Sequence, residues 1–222
     1  MSWNPSSIVV FAQDSLRDSG IVVSRGHLFE VFAALHSFRT YAAYRAVPVV
    51  DELLPSAEIV CFDKERARKR AIALSDNAAD AEAIVEVVLE ECKAALGETD
   101  KRIRVYSSAN EFFDDEFSSS DFHTTIMLSG PVNSEFSDTN AYMSDCEVEE
   151  IDELCELAYC DGEWNLVVMG KVYGDQDPDR MYWGDTVEFR ATVTYTVIAG
   201  VGLIFDDMHV EASVLHEVDL DK

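Results

Sequence analysis

The sequence predicts an α+β protein: a helical N-terminal module over residues 1–98, then an acidic domain over residues 103–222 that ends in an antiparallel meander. Three observations carry this. Apolar residues recur at spacings of three and four through the first hundred residues. The last sixty residues instead hold long stretches rich in Val and Thr that alternate in polarity. The charge also breaks near residue 100, with 13 basic and 16 acidic side chains in residues 1–104 against 4 and 27 in residues 105–222. At 222 residues and 48% apolar, the chain has material for one large core or two modest ones.

Asn4 before Pro5 is an N-cap with Pro at the first helical position. Ile8, Phe11, Ala12 and Leu16 continue that helix until Gly20 can close it, although Ile8–Phe11 alone also reads as a short strand. Ser24 caps a second helix whose Leu28, Val31, Phe32 and Leu35 make one apolar stripe. After a break at His36-Ser37-Phe38, a third helix carries Tyr41, Ala42, Tyr44 and Ala46 up to Pro48, which is the spacing of a helical hairpin or a helix-turn-helix. Ala57–Phe62 is a brief strand, Asp63 caps the basic helix Lys64–Leu74, and Ala78–Leu96 is strongly amphipathic and ends at Gly97.

Beyond Arg104 the pattern changes. Ile103–Tyr106 reads as a strand, Asn110–Ser120 as a short helix or a loop, and Phe122–Leu128 alternates as a strand before Gly130-Pro131 turns the chain. Val148, Ile151, Cys155 and Ala158 keep helical spacing behind a Ser144/Glu147 capping box, with an acidic strand as the alternative. Trp164–Tyr173, Thr186–Ile198 and Leu203–Val218 are the meander, reversed at Ala199-Gly200-Val201-Gly202. On its middle strand Val187, Phe189, Ala191, Val193, Tyr195 and Val197 should face the core, with Glu188, Arg190, Thr192, Thr194 and Thr196 facing water.

Around GIVVSRGHLFEVFAALHSFRTYAAYRA, the stretch from Ser7 to Ala46 carries Ser24, His27, Ala33-Ala34-Leu35 and Tyr41-Ala42-Ala43 in a fixed pattern. It resembles the small helical module called glyoxalase-related, found in bacterial proteins, except that Ser37 stands where that pattern has Gly before an aromatic residue. The resemblance implies a bacterial origin, among plasmid, phage or defence genes. It implies no glyoxalase chemistry, because that reaction needs a metal held by His and Glu across paired β-modules and nothing after His27 supplies such a set.

Charge narrows the function. A net charge of −26 opposes binding of the whole molecule to nucleic acid or an anionic membrane. No apolar run approaches the roughly 20 residues of a membrane span, and the start has no signal-peptide pattern, so a cytoplasmic protein is expected. Cys61, Cys92, Cys146, Cys155 and Cys160 contain no C-x-x-C pair and read as reduced, buried thiols, with no zinc site. No cofactor is expected, and no G-x-S-x-G, P-loop or G-x-G-x-x-G is present. His209 and His216 stand seven apart on one strand, hence on opposite faces, and cannot share a metal.

From Val105 to Gly170 there is no Lys or Arg and there are 16 carboxylates. Such density mimics a nucleic-acid backbone and suits a basic partner. The leading expectation is therefore a non-enzymatic interaction protein that binds a basic, nucleic-acid-binding protein partner, as a mimic-like inhibitor or an acidic subunit of a defence or anti-defence complex. Glu147, Glu149, Glu150, Asp152 and Glu153 would supply charge, and Phe112, Phe113 and Phe117 the aromatic anchors. Association with further copies of the chain is left open. The second expectation is a DNA-binding regulator using residues 24–46, with Arg39 and Arg45 on the recognition helix. Under that reading the basic helix 64–70 also contacts DNA; otherwise it pairs with the acidic half of this or a second chain. The third is a metal-dependent hydrolase on the 175–188 loop, where Asp175, Asp177 and Asp179 alternate near Asp185, Glu188 and Lys171. A calcium loop is disfavoured there, since Arg180 and Thr186 occupy the positions that need Gly and Glu.

Overall fold

The computed structural model describes residues 3–47, 54–75, 77–99, 102–137, 141–157, 162–176 and 186–215. Helices α1 (Pro5–Asp18), α2 (Arg25–Leu35) and α3 (Tyr41–Arg45) precede β1 (Ile59–Cys61), α4 (Lys64–Leu74), α5 (Ala78–Thr99) and β2 (Arg104–Tyr106). Next come α6 (Ala109–Glu116), α7 (Ser120–Met127) and α8 (Gly130–Ser137), then β3 (Ala141–Glu153), β4 (Glu163–Gln176), β5 (Thr186–Ile198) and β6 (Gly202–Leu215). Strands pair in the order β2-β1-β6-β5-β4-β3, so the fold class is α+β with a mixed sheet.

The chain forms two compact units. The first comprises residues 1–112 with 157–163 and 196–205, and the second residues 113–156, 164–195 and 206–222. In the first, local chemistry sets the helix ends. The Asn4 side chain accepts from the Ser6 amide at 2.9 Å and Pro5 opens α1, while Gly20 follows its end at φ +82°. Ser24 caps α2 by accepting from His27 N–H at 3.2 Å. At the far end of α2 the Phe38 amide donates back to Ala33, which forces Ser37 to φ +63°. β1, α4, α5 and β2 form a parallel crossover, with Val60 opposite Val105 and Cys61 opposite Tyr106. Leu28, Phe32, Leu35, Val60, Phe62, Val85, Leu89 and Leu96 fill the core beneath it.

The cations of α4 have partners inside this unit. Lys64 meets Glu86 at 2.5 Å, Arg68 meets Glu82 at 2.9 Å, Arg70 meets Glu30 at 2.5 Å, and Arg66 donates to the Ser37 carbonyl at 2.8 Å.

Two elements of the second unit differ from expectation. Residues 122–127 belong to a helix capped by Leu128, not to a strand: the Ser119 hydroxyl caps α7 by accepting from the Phe122 amide at 3.1 Å, and only Ile126 of that helix is buried. Gly130-Pro131 likewise opens α8 and is not a plain turn. Residues 144–153 form a strand, not a helix, because each pairs with or lies between partners on β4, from Asp145 opposite Tyr173 to Glu153 opposite Leu166. α5 also runs two residues past Gly97. The three meander strands form, and on β5 Val187, Phe189, Ala191, Val193 and Tyr195 are buried while Glu188 and Arg190 are exposed. The core of this unit is aromatic. Trp164 is fully buried, with Phe113 at 5.7 Å and Tyr195 at 6.1 Å between ring centres, and Phe117 meets Phe122 edge-on at 5.0 Å.

Candidate partner-binding face

β3 is the terminal strand of the sheet, and its register on β4 decides which carboxylates share a face. Side chains of directly opposed residues project to the same side of an antiparallel pair. Cys146 opposes Val172, Val148 opposes Gly170 and Ile151 opposes Val168, which gives β3 one apolar side. Glu147 opposes Lys171, Glu150 opposes Met169 and Asp152 opposes Val167, which gives the other side its acids.

The pairing skips Glu149, a β-bulge between Val148 and Glu150. Strict alternation would have turned Ile151 to the acidic side and Glu150 and Asp152 to the apolar one. The bulge corrects this by half a period. It leaves Glu147, Glu149, Glu150 and Asp152 exposed together, with Val148 and Ile151 half-buried opposite them.

Neighbouring strands extend the acidic side. Lys171 Nζ lies 2.6 Å from Glu149, and the Tyr173 hydroxyl donates to Glu147 at 2.9 Å. Those hydrogen bonds hold the Lys171 ammonium and the Tyr173 phenol protonated to higher pH than usual. A groove of about 490 Å³ runs beside them, lined by Glu149, Glu150, Glu188, Glu211, Met169 and Arg190 among others. Lys171 is therefore neutralised locally, and Arg190 lies among four glutamates. Sequence reasoning did not single out Tyr173, Glu211 or Arg190, whose meeting depends on strand order across β4, β5 and β6.

The remaining expected residues fall elsewhere. Glu153 lies on the opposite parity from Asp152 and accepts from the indole N–H of Trp164 at 3.2 Å. Phe112 and Phe117 are buried, and Phe113 is half-buried and stacked on Trp164, so the three expected anchors are engaged in packing within the protein. Their spacing fits the apolar side of a short helix as well as an interface, and packing claims it. Cys146 is buried on the apolar side, which pushes its thiol up to about 11. Cys61, Cys92 and Cys146 are free thiols, but Cys155 is disulfide-bonded, which corrects the expectation of five reduced cysteines.

Arg39 and Arg45 are exposed, and Arg45 ends α3. At five residues that helix is only about 7.5 Å long, short for reading a groove. Asp175 sits near the end of β4 opposite Tyr142, whereas Asp177, Asp179 and Asp185 lie outside the described residues, as does His216. Among the described residues no three His, Cys, Asp or Glu side chains are grouped to hold a metal ion, and no helix is long and apolar enough to cross a membrane.

Compared with protein-family models, curated proteins and solved structures, the chain matches none.

Proposed function

We propose that this chain is a non-enzymatic interaction protein whose acidic sheet face, built on Glu147, Glu149, Glu150 and Asp152, binds a basic surface of another protein. The reading follows a nucleic-acid mimic or the acidic subunit of a larger complex. The observation that supports it is the bulge at Glu149, which gathers the four carboxylates on one side next to Glu188 and Glu211. From Asp145 to Glu153, six carboxylates occupy nine residues. At about 3.3 Å per residue that is roughly one charge per 5 Å of strand, comparable to the one per 3.4 Å of axis on a nucleic-acid strand. A basic cleft shaped for phosphates would meet a similar field, and long-range attraction would speed the encounter.

The test compares two charge reversals of equal size. Replacing Glu147, Glu149, Glu150 and Asp152 with Lys removes the face; replacing the exposed Asp114, Asp121, Asp206 and Asp207 with Lys changes the net charge equally and spares it. Binding of a labelled deca-arginine peptide, read by fluorescence anisotropy, should weaken at least tenfold in the first variant and less than threefold in the second. Equal losses would mean that only net charge matters and that the acids merely keep the protein in solution.

A further inference from the structure

We infer that the outer edge of β3 takes up an extended basic segment of the partner as an added strand, one whose side chains alternate Lys or Arg with Val, Ile or Thr. The inference rests on the acidic-face reading and supplies its mode of docking. β3 ends the sheet and is 13 residues long, whereas β2 at the opposite end has three. Between Met143 and Asp152, among the described residues, the backbone pairs with β4 and with no other element; the Cys146 amide donates to the side chain of Asp145 at 2.8 Å. A long strand with an unpaired outer ladder is a template for another chain.

Charge selects the occupant. A second copy of β3 would set its own glutamates against these, and like charges directly opposed destabilise a strand pair. A basic strand reverses that sign. Residues of the incoming strand opposite Glu147, Glu150 and Asp152 would lie on the acidic side, with Cβ atoms about 4.5–5.5 Å away, within reach of an ion pair. The residues between them would fall beside Cys146, Val148 and Ile151. Val148 and Ile151 are only half-buried, so an apolar neighbour there would complete their cover. Alternating cationic and apolar side chains therefore satisfy both sides of the edge at once.

Two labelled peptides of equal charge test this on the full-length protein: one with five Lys-Val repeats and one with five Lys-Pro repeats, which lacks the amide donors of a ladder. The Lys-Val peptide should bind at least tenfold more tightly. It should also slow hydrogen exchange of outward amides between Met143 and Asp152 at least tenfold, and lose affinity when Glu147, Glu149, Glu150 and Asp152 are changed to Lys. Equal affinity of the two peptides, both lost in that variant, would overturn strand addition and leave the acidic face standing. Affinity for either peptide that is indifferent to the variant would overturn both readings. Tight Lys-Val binding without slowed exchange in β3 would place the added strand elsewhere and refute this inference.

Discussion

Lowering the pH from 7 to 4 is expected to remove about 3 kcal/mol of stability through His36 alone. This residue follows α2, is fully buried, and lies 2.7 Å from the Phe32 carbonyl through Nδ1. A carbonyl only accepts, so Nδ1 carries the hydrogen and Nε2 is left as a lone pair, with no hydrogen-bond partner among the described residues. Around it the rings of Phe32, Phe62, Tyr44 and Trp3 lie 4.3, 5.2, 5.4 and 5.6 Å away. A proton on Nε2 would be a buried, unpaired charge, and burial accordingly lowers the pKa to about 4, against 6.5 for an exposed histidine; the Phe32 carbonyl opposes the fall only in part. Below pH 6.5 the unfolded chain binds a proton that the folded chain refuses. Stability is thus complete above 6.5 and drains as the pH falls, until both states are protonated below about 4. At about 1.36 kcal/mol per pH decade the interval amounts to about 3 kcal/mol, a large share of the 5–15 kcal/mol typical of a domain. Urea unfolding of the wild type and of His36→Phe, at pH 7, 6, 5 and 4.5, isolates the effect by difference, because all other titrations are common to both. The wild type should lose stability relative to the variant as the pH falls. Parallel curves would refute the reasoning, as would a His36 ring proton that titrates near 6.5 by NMR, a readout that survives even where the Phe variant folds poorly.

Further expectations concern the backbone and the charge. Gly170 on β4 has no room for a side chain: a Cβ there would collide with the Glu147 carbonyl oxygen and stand 2.8 Å from the Phe189 ring, so Gly170→Ala should destabilise by about 3 kcal/mol or more in urea unfolding. Ser37 at φ +63° occupies the left-handed position that glycine prefers after a helix, and Ser37→Gly should raise stability by up to about 1 kcal/mol; a loss would show that the serine side chain outweighs the strain. Neighbouring acids on one side of β3 stand about 7 Å apart, where each pair repels by about 0.6 kcal/mol in water before screening. The melting temperature should therefore climb between 10 and 150 mM NaCl as the Debye length falls from about 30 to about 8 Å, and a flat response would mean that the repulsion is already neutralised.

Much of the first hundred residues was legible, since caps and spacing act locally. Asn4, Ser24 and Asp63 each bind amides two or three residues ahead, and the sequence displays both partners. The two segments where expectation and structure differ, 122–127 and 144–153, share one reason. Phe122, Thr124, Ile126 and Leu128 alternate as a strand would, yet Phe122 and Ile126 are also one helical turn apart, and the Ser119 cap with Phe117 packed on Phe122 decides for the helix. Conversely, Val148 and Ile151 stand three apart as helix positions do, but a strand with one extra residue between them gives the same interval. Neither ambiguity is resolved by spacing alone; each is settled by a partner distant in sequence. The acidic face inherits that dependence, because the same carboxylates on a straight strand would be divided between two sides.

The bulge itself yields a test that runs against ordinary expectation for a deletion inside a strand. Removing Glu149 brings Val148 opposite Gly170 and Glu150 opposite Met169 with nothing between, so the register on both flanks is kept and every remaining side chain stays on its side. The loss is one exposed ion pair with Lys171, worth no more than about 1 kcal/mol. Removing Glu147 instead is absorbed only by straightening one of the two irregularities in the pairing: at Glu149, which moves Val148 to the acidic side opposite Lys171 and puts Glu149 in its place on the apolar side opposite Gly170, or at Ser144, which moves Cys146 to the acidic side opposite Lys171 and Asp145 to the apolar side opposite Val172. Circular dichroism with urea unfolding should find the Glu149 deletion within about 1 kcal/mol of wild type, and the Glu147 deletion destabilised by several times that or unfolded. Equal damage from the two would mean that Glu149 is not the extra residue, and the grouping of Glu147, Glu150 and Asp152 on a single side would fall with it.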